Sequence, residues 1–415
     1  MTALPDLTPI DRSAPPDRSE RPGEWLRSRL FSTWYDALLT LGLGGAIVWV
    51  VTAVVRFLAA KDYEIIRVNL TFFLLGRYPR DQIWRPAVAL VLVAVMIGLA
   101  AGLAQTSARA RAAEAGLPFE APSLIKILGR YWLILAFVVL LLTFVRSVGP
   151  WALVGVALAG LAGSYAIGSR LPVLAVRWAW LAGAALLVAS FQVLQGGGVG
   201  WDRWGGFHLN LFLTIAGIVI AFPLGLLLAL GRRSTLPAVR TVAVTYIELI
   251  RGVPLITLLL MGIFVIGFFV PNFLAPGRVT RVLIAIVLFE SAYIAEVVRG
   301  GLQSVPRGQV EAAQAVGMRP WPTMRRVVLP QALRATIPAM VGQFISLFKD
   351  TTLVTIVGIP DILKVSNAAN NQPEFLAQGL HAVTLPFVAL AFWVGSYTMS
   401  REAGRIERRV GLGER

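Results

Sequence analysis

Apolar runs of 18 or more residues recur along this chain, and no other feature restricts its fold as much. Within lipid, a stretch of that length can satisfy its backbone only as a helix. Mean hydropathy is +0.72 and only 14% of residues are charged, which excludes an ordinary soluble globule. The short alternating strands of a membrane β-barrel are missing from the pattern. The expected fold class is therefore an all-α polytopic membrane protein with about ten transmembrane helices. They fall near 36–58, 86–105, 131–147, 151–168, 178–195, 206–230, 252–271, 279–298, 336–358 and 382–400.

The formal charge of +16 does not point to nucleic acid, because the basic residues sit in loops between apolar runs, where they set topology. No basic helix with an interleaved polar face appears, so nucleic acid is not an expected partner. Residues 1–34 combine prolines with Arg12, Arg18, Arg21, Arg27 and Arg29 and lack the apolar core of a signal peptide. They read as a disordered tail retained in the cytosol. Alternating from there, Arg109, Arg111, Lys126, Arg130, Arg170 and Arg177 fall inside. So do the Gly231–Ser234 turn, the loop with Arg299, Arg307, Arg319, Arg325, Arg326 and Arg334, and a C-terminal tail at 406–415. Both termini are then cytosolic. The outside loop at 61–85 runs against this scheme with Lys61, Arg67, Arg77, Arg80 and Arg85, and its Val68–Leu75 stretch reads as lying along the interface.

Chemistry is sparse. The chain has no cysteine and two histidines, His208 and His381, at the ends of different spans. Both read as interfacial side chains, so no metal site is expected. No Ser-His-Asp arrangement can be argued, and no catalytic residue is assigned. A phosphate-cradling loop needs Gly-Lys before Ser or Thr. Lys61, Lys126, Lys349 and Lys364 are never preceded by Gly. The chain is expected to be a non-enzyme that binds no cofactor itself, any nucleotide hydrolysis belonging to a partner.

The first five spans are rich in Leu, Val and Ala. Small-residue seams at Gly98/Gly102 and Gly160/Gly163 suit close helix packing, and the region reads as scaffold. The loop at 304–330 is different. Pro306 suits the first turn of a short helix and Gly317 its end. Between them Glu311 stands beside Ala312, Ala313 and Ala315, which leave a shallow face another protein could approach closely. An ordinary surface helix is the alternative.

Glu311-Ala312-Ala313, three residues, Gly317, nine residues, then Val327-Val328-Leu329-Pro330 resembles the signature loop of ATP-binding-cassette importer permeases. Val327 departs mildly from the family's usual Ile. The resemblance implies that Glu311, Ala312, Ala313, Gly317, Leu329 and Pro330 form a coupling helix and its support. That helix docks on a cytosolic ABC ATPase dimer, which carries the ATP and Mg.

From about residue 203 the likeness is continuous. Trp204-Gly205-Gly206, Pro223-Leu224-Gly225, Leu228–Ser234, Tyr246–Pro254, Ser291–Glu296 and Lys349–Leu353 are similar to polar amino-acid permeases of the HisM-like family. The long N-terminal extension and Phe348–Thr352 look most like one of the paired permeases of general L-amino-acid and glutamate/glutamine/aspartate importers. This implies that the last five spans, within 201–405, form a type-1 ABC importer (MetI-like) transmembrane domain, behind an accessory region at 35–200. It also implies a bacterial inner-membrane location, a paralogous permease as partner, a periplasmic amino-acid-binding protein, and an L-amino acid as cargo in the bilayer.

Polar residues inside the spans admit two readings each. Glu290 either pairs structurally or lines the substrate path. Lys349 and Asp350, followed by Thr351 and Thr352, either satisfy each other or mark a helix break exposing polar groups to substrate. Glu296 is expected to contact Arg299 locally. Glu248, Arg251, Gly252 and Pro254 mark a kinked, structural or gate-forming entry to a span. An ion-coupled secondary amino-acid transporter is the alternative function, using Glu290, though no inverted repeat is evident. A membrane scaffold or channel would not need the signature loop.

Overall fold

The computed structural model describes residues 30–59, 63–116, 118–119, 126, 129–143, 149–172, 175–270, 276–376 and 378–410. Of the tails anticipated at 1–34 and 406–415, residues 1–29 and 411–415 lie outside these, as does the end of the span at 131–147, while 406–410 continue the last helix. The chain divides into two units, Met1–Asp62 and Tyr63–Arg415. The first holds one described helix, α1 (Trp34–Ala59), apolar along its length.

In the second unit the helices are α2 (Glu64–Leu75), α3 (Trp84–Glu114), α4 (Trp132–Thr143), α5 (Gly149–Arg170), α6 (Val176–Gln195), α7 (Gly206–Arg232) and α8 (Pro237–Arg251). They continue with α9 (Leu255–Phe269), α10 (Arg278–Ser304), α11 (Arg307–Ala315), α12 (Leu329–Asp350), α13 (Ile362–Asn370) and α14 (His381–Val410). Helices stand at all ten anticipated spans. Five long apolar ones could cross a membrane by length and composition, α1, α3, α5, α7 and α14, and the bent pair α8/α9 could supply a sixth. At 27 residues, α10 is about 40 Å long, enough to span, but it carries charged side chains. The described part of α4 has 12 residues and reaches only about 18 Å.

α10 is the centre of the second unit. It packs against α7, α9 and α12, and fourteen of its residues are buried, Val282, Ile286, Ile294 and Val298 among them. α7 crosses it where Gly225 faces Ile294: a Cβ built there would stand 2.6 Å from the Ile294 Cγ2. Only glycine allows this approach.

α3 and α5 pack through a small-residue seam. Gly98 and Gly102 face Leu161, Ser164 and Gly168, and Thr106 donates to the Gly168 carbonyl at 2.9 Å. The anticipated Gly163 meets nothing within 4 Å; the seam runs through Gly160, Ser164 and Gly168 instead. The reason is periodic, since residues four apart stay on one helical face and Gly163 is rotated off it.

The stretch expected to lie along the interface is the amphipathic helix α2. Ile65, Ile66, Leu70 and Phe73 are buried against α13 and α14, and the Phe73 ring meets Phe387 edge-on at 5.2 Å. Asn69 and Gln372 exchange hydrogen bonds of 3.0 and 2.8 Å across the joint. His208 stands in the first turn of α7, half-buried, with its ring 4.7 Å from that of buried Trp204.

Candidate functional site

α11 is short because its ends are chemically defined. Pro306 precedes its first turn, and Gly317 ends it with φ +78. There the Gly317 N–H donates to the Gln314 carbonyl at 2.9 Å and the Met318 N–H to the Ala313 carbonyl at 3.0 Å, a Schellman closure. A Cβ on Gly317 would meet nothing within 4 Å, so the glycine is required for its backbone angle rather than for space. Ala313 faces inward, whereas Glu311 and Ala312 are exposed. Beyond them Val316 is 76% and Trp321 66% exposed, two large apolar side chains flanking the turn.

After Pro320–Thr323 the backbone widens into a π-helical turn, Met324–Val328, which runs straight into α12. Pro330 explains the widening. It has no N–H, and its ring crowds the carbonyl four residues earlier, which a wider turn moves aside. Buried Val328 and half-buried Leu329 anchor this rod to the bundle. Gln331 reaches back to the Gln309 side chain at 3.3 Å, tying the rod to α11.

A second cluster lies at the ends of α7, α8 and α10. Glu296 accepts a hydrogen bond from Arg299 one turn on, as its spacing predicts, but it is also within 3.5 Å of Arg251 and 3.7 Å of Arg232. Arg232 pairs with Glu248 at 2.9 Å, and Arg251 lies over the Tyr293 ring at 5.6 Å. One carboxylate thus gathers cations from three helices, a network worth more than isolated surface pairs. The sequence suggested only the Glu296–Arg299 contact, because Arg232 and Arg251 arrive from distant turns. Gly252 and Pro254 stand where α8 and α9 meet at 104°. Pro254, extended at ψ 142, cannot continue the helix of α8.

Within the bundle Glu290 is fully buried, and the Gln343 amide of α12 donates to both of its oxygens at 3.2 Å. Among the described residues no cation lies within 4.0 Å of it. Lys349 and Asp350 do not pair with each other. Lys349 is exposed, and Asp350 accepts from Ser346 at 3.4 Å. The helix ends here, and Thr351–Thr355 continue as a 3₁₀ turn rather than completing the anticipated span to 358. Thr352 donates to the Lys349 carbonyl at 2.8 Å.

Two residues that sequence reasoning did not single out hold this break. Asn210 of α7 donates to Thr351 Oγ1 at 3.1 Å and accepts from the Ile362 N–H at 3.1 Å. Asp361 accepts from Thr355 Oγ1 at 2.7 Å and from the Lys364 N–H at 2.9 Å, capping α13. A carboxylate just before an amphipathic turn and an Asn inside an apolar span were the available signals.

A family model described as the binding-protein-dependent transport system inner membrane component matches residues 221–411. The inner membrane amino-acid ABC transporter permease protein YhdY of Escherichia coli K12 is 33% identical over 434 residues, covering 98% of this chain and 99% of that protein. The glutamate/glutamine/aspartate/asparagine transport system permease protein BztC of Rhodobacter capsulatus is 34% identical, covering 93% of each. The probable glutamine ABC transporter permease protein GlnP of Bacillus subtilis 168 is 33% identical over 208 residues, half of this chain and 92% of that protein. Kinship with two full-length ABC permeases replaces the ion-coupled secondary transporter as a reading of the function. Matched end to end at one-third identity, the chain belongs to the amino-acid ABC transporter permeases, multi-pass membrane subunits of binding-protein-dependent import.

Proposed function

We propose that the chain is one of two paralogous permease subunits that together carry polar L-amino acids, glutamate, glutamine and aspartate among them, across a bacterial inner membrane. A periplasmic binding protein delivers the amino acid. A cytosolic ABC ATPase dimer holds the ATP and Mg and supplies the work, and this subunit makes no bond chemistry of its own. Both termini and α11 lie on the cytosolic side, residues 201–405 form the transport domain, and 35–200 form an accessory region. The substrate range follows the printed names of the relatives.

The observation that carries the reading is α11 itself. It is a short helix with Glu311 and Ala312 outward, closed by a left-handed glycine and flanked by exposed Val316 and Trp321. Exposed apolar side chains beside a rigid turn suit insertion into a partner's groove. Force applied there passes along α10, which enters α11 directly, and along the π-turn rod into α12. Glu290 and Gln343 join those two helices at depth. Lys349, Asp350, Thr351 and Thr352 sit at the helix break and are the substrate-path candidates. Glu248, Arg251, Gly252 and Pro254 belong to the bent joint, which serves as gate or strut.

Co-purification in detergent with the ATPase tests this. Gly317→Val forces a β-branched residue into a left-handed angle, at about 1–2 kcal/mol, and is expected to lose retained ATPase or its stimulated hydrolysis. Wild-type chain that binds no ATPase would remove the importer reading for this subunit.

A further inference from the structure

On the face far from α11 lies an open cavity of about 530 Å³ whose polar lining is wholly cationic. Arg77, from the turn between α2 and α3, Arg278 and Arg281, from the first turn of α10, and Lys364 of α13 surround it. The length of α10 separates Arg278 from the coupling helix by about 40 Å, one membrane thickness. Among the described residues none of the four cations has a carboxylate within 4.0 Å. Asp361, three residues before Lys364, is fully buried and committed to Thr355 and the Lys364 N–H. It does not neutralise the cavity.

The wall is built rather than incidental. Arg281 is fixed by donating to the Pro276 carbonyl at 2.8 Å and the Ile263 carbonyl at 3.1 Å, and Arg278 donates to the Val357 carbonyl at 3.0 Å. Gly358, at φ +80, turns the backbone beneath Arg278. Arg77 and Lys364 are exposed, and their side chains make no hydrogen bond or ion pair among the described residues. The α10 amides behind Arg278 lack a side-chain cap, which adds helix-dipole potential of the same sign.

Four unneutralised cations around a concave, partly apolar wall favour a partner that brings several carboxylates at once. We propose that this cavity receives acidic side chains protruding from the periplasmic binding protein, and so sets where and how firmly that protein docks on this subunit. The inference rests on the importer reading above, which requires such a protein on the face opposite the ATPase.

The test uses the assembled transporter in nanodiscs of a neutral lipid, with ATPase and both permeases present. The amino-acid-loaded binding protein is titrated while ATP hydrolysis is followed at low and high salt. Arg77→Gln with Lys364→Gln removes two charges without touching the backbone bonds of Arg278 or Arg281. At low ionic strength the binding-protein concentration for half-maximal stimulation is expected to rise on the order of tenfold, with a flatter salt dependence and unchanged basal hydrolysis. A half-maximal concentration and salt slope equal to wild type would overturn the docking assignment. So would an effect that appears only when anionic lipid is added, or one seen with an acidic but not a neutral amino acid as cargo. Those outcomes assign the cations to a lipid headgroup or to the cargo. Absence of basal hydrolysis in the wild-type assembly would instead count against the importer reading, so the two failures are separable.

Discussion

Asp361 is fully buried, yet its carboxylate is satisfied by Thr355, by the Lys364 N–H and, at 3.5 Å, by Asn210. Through it the break after α12 is held, because backbone groups freed where a helix ends must find other partners. Asn210 completes the arrangement from α7, bonding both Thr351 and the Ile362 N–H. Asp361→Ala removes a helix cap and leaves two part-buried donors without their acceptor, a loss of about 1–3 kcal/mol. It is expected to lower the midpoint of thermal unfolding in detergent by several degrees, whereas Asp361→Asn, which keeps an acceptor, should cost clearly less. Lys349→Ala, at an exposed position, should leave the midpoint near wild type. Equal midpoints for all three would show that the break is held by something else. The Lys349–Thr352 run was legible as a break because charge interrupts an apolar helix there. Its supports were not, since Asn210 acts 141 positions from Thr351 and hydropathy carries no information about such pairing.

The packed elements obey the same division. The spans, the short α11 and the bend at Pro254 follow from local chemistry, and each stands near where the residues suggest. Helix crossings do not follow from composition, because small residues are common and only some of them face a neighbour. Gly163 meets nothing, while Gly168 lies against Gly102 and the Leu99 carbonyl. The crossing of α7 over α10 offers the sharper case. At Gly225 a Cβ would lie 2.6 Å from Ile294 Cγ2 and 2.8 Å from the Ser291 carbonyl, so the backbone, not a movable side chain, is part of the obstacle. Gly225→Val is expected to cost more than the about 1–3 kcal/mol usual for overpacking, seen as early aggregation on heating. The double variant Gly225→Val/Ile294→Ala relieves only the side-chain part and should recover some but not all of the loss. Full recovery would mean the helices can separate freely at this crossing.

At the scale of the molecule, the open question is what completes the core of the C-terminal half. Residues 201–415 carry the signature loop, the helix break and all of the region matched by the family model, 221–411. Yet α2, from residues 64–75, joins the cluster it forms with α13 and α14 through Ile65, Ile66, Leu70 and Phe73. Hydropathy could not show this, since α2 is too short to span and its loop is unusually basic. Burial of Phe73 alone, at 0% exposure, is worth about 3–5 kcal/mol by the cost of truncating such a ring to alanine. A chain cut to residues 201–415 loses that cover and leaves Phe387, Val383 and Val365 facing solvent or lipid. It should therefore unfold at a lower temperature than residues 63–415, and Phe73→Ala in the longer chain should reproduce much of the difference. Supplying α2 as a separate peptide should restore part of the stability, because its contacts are side-chain contacts and the two Asn69–Gln372 hydrogen bonds need no covalent link. If the two lengths unfold together, the aromatic joint between Phe73 and Phe387 contributes nothing, and the transport half closes without help from the first third of the chain.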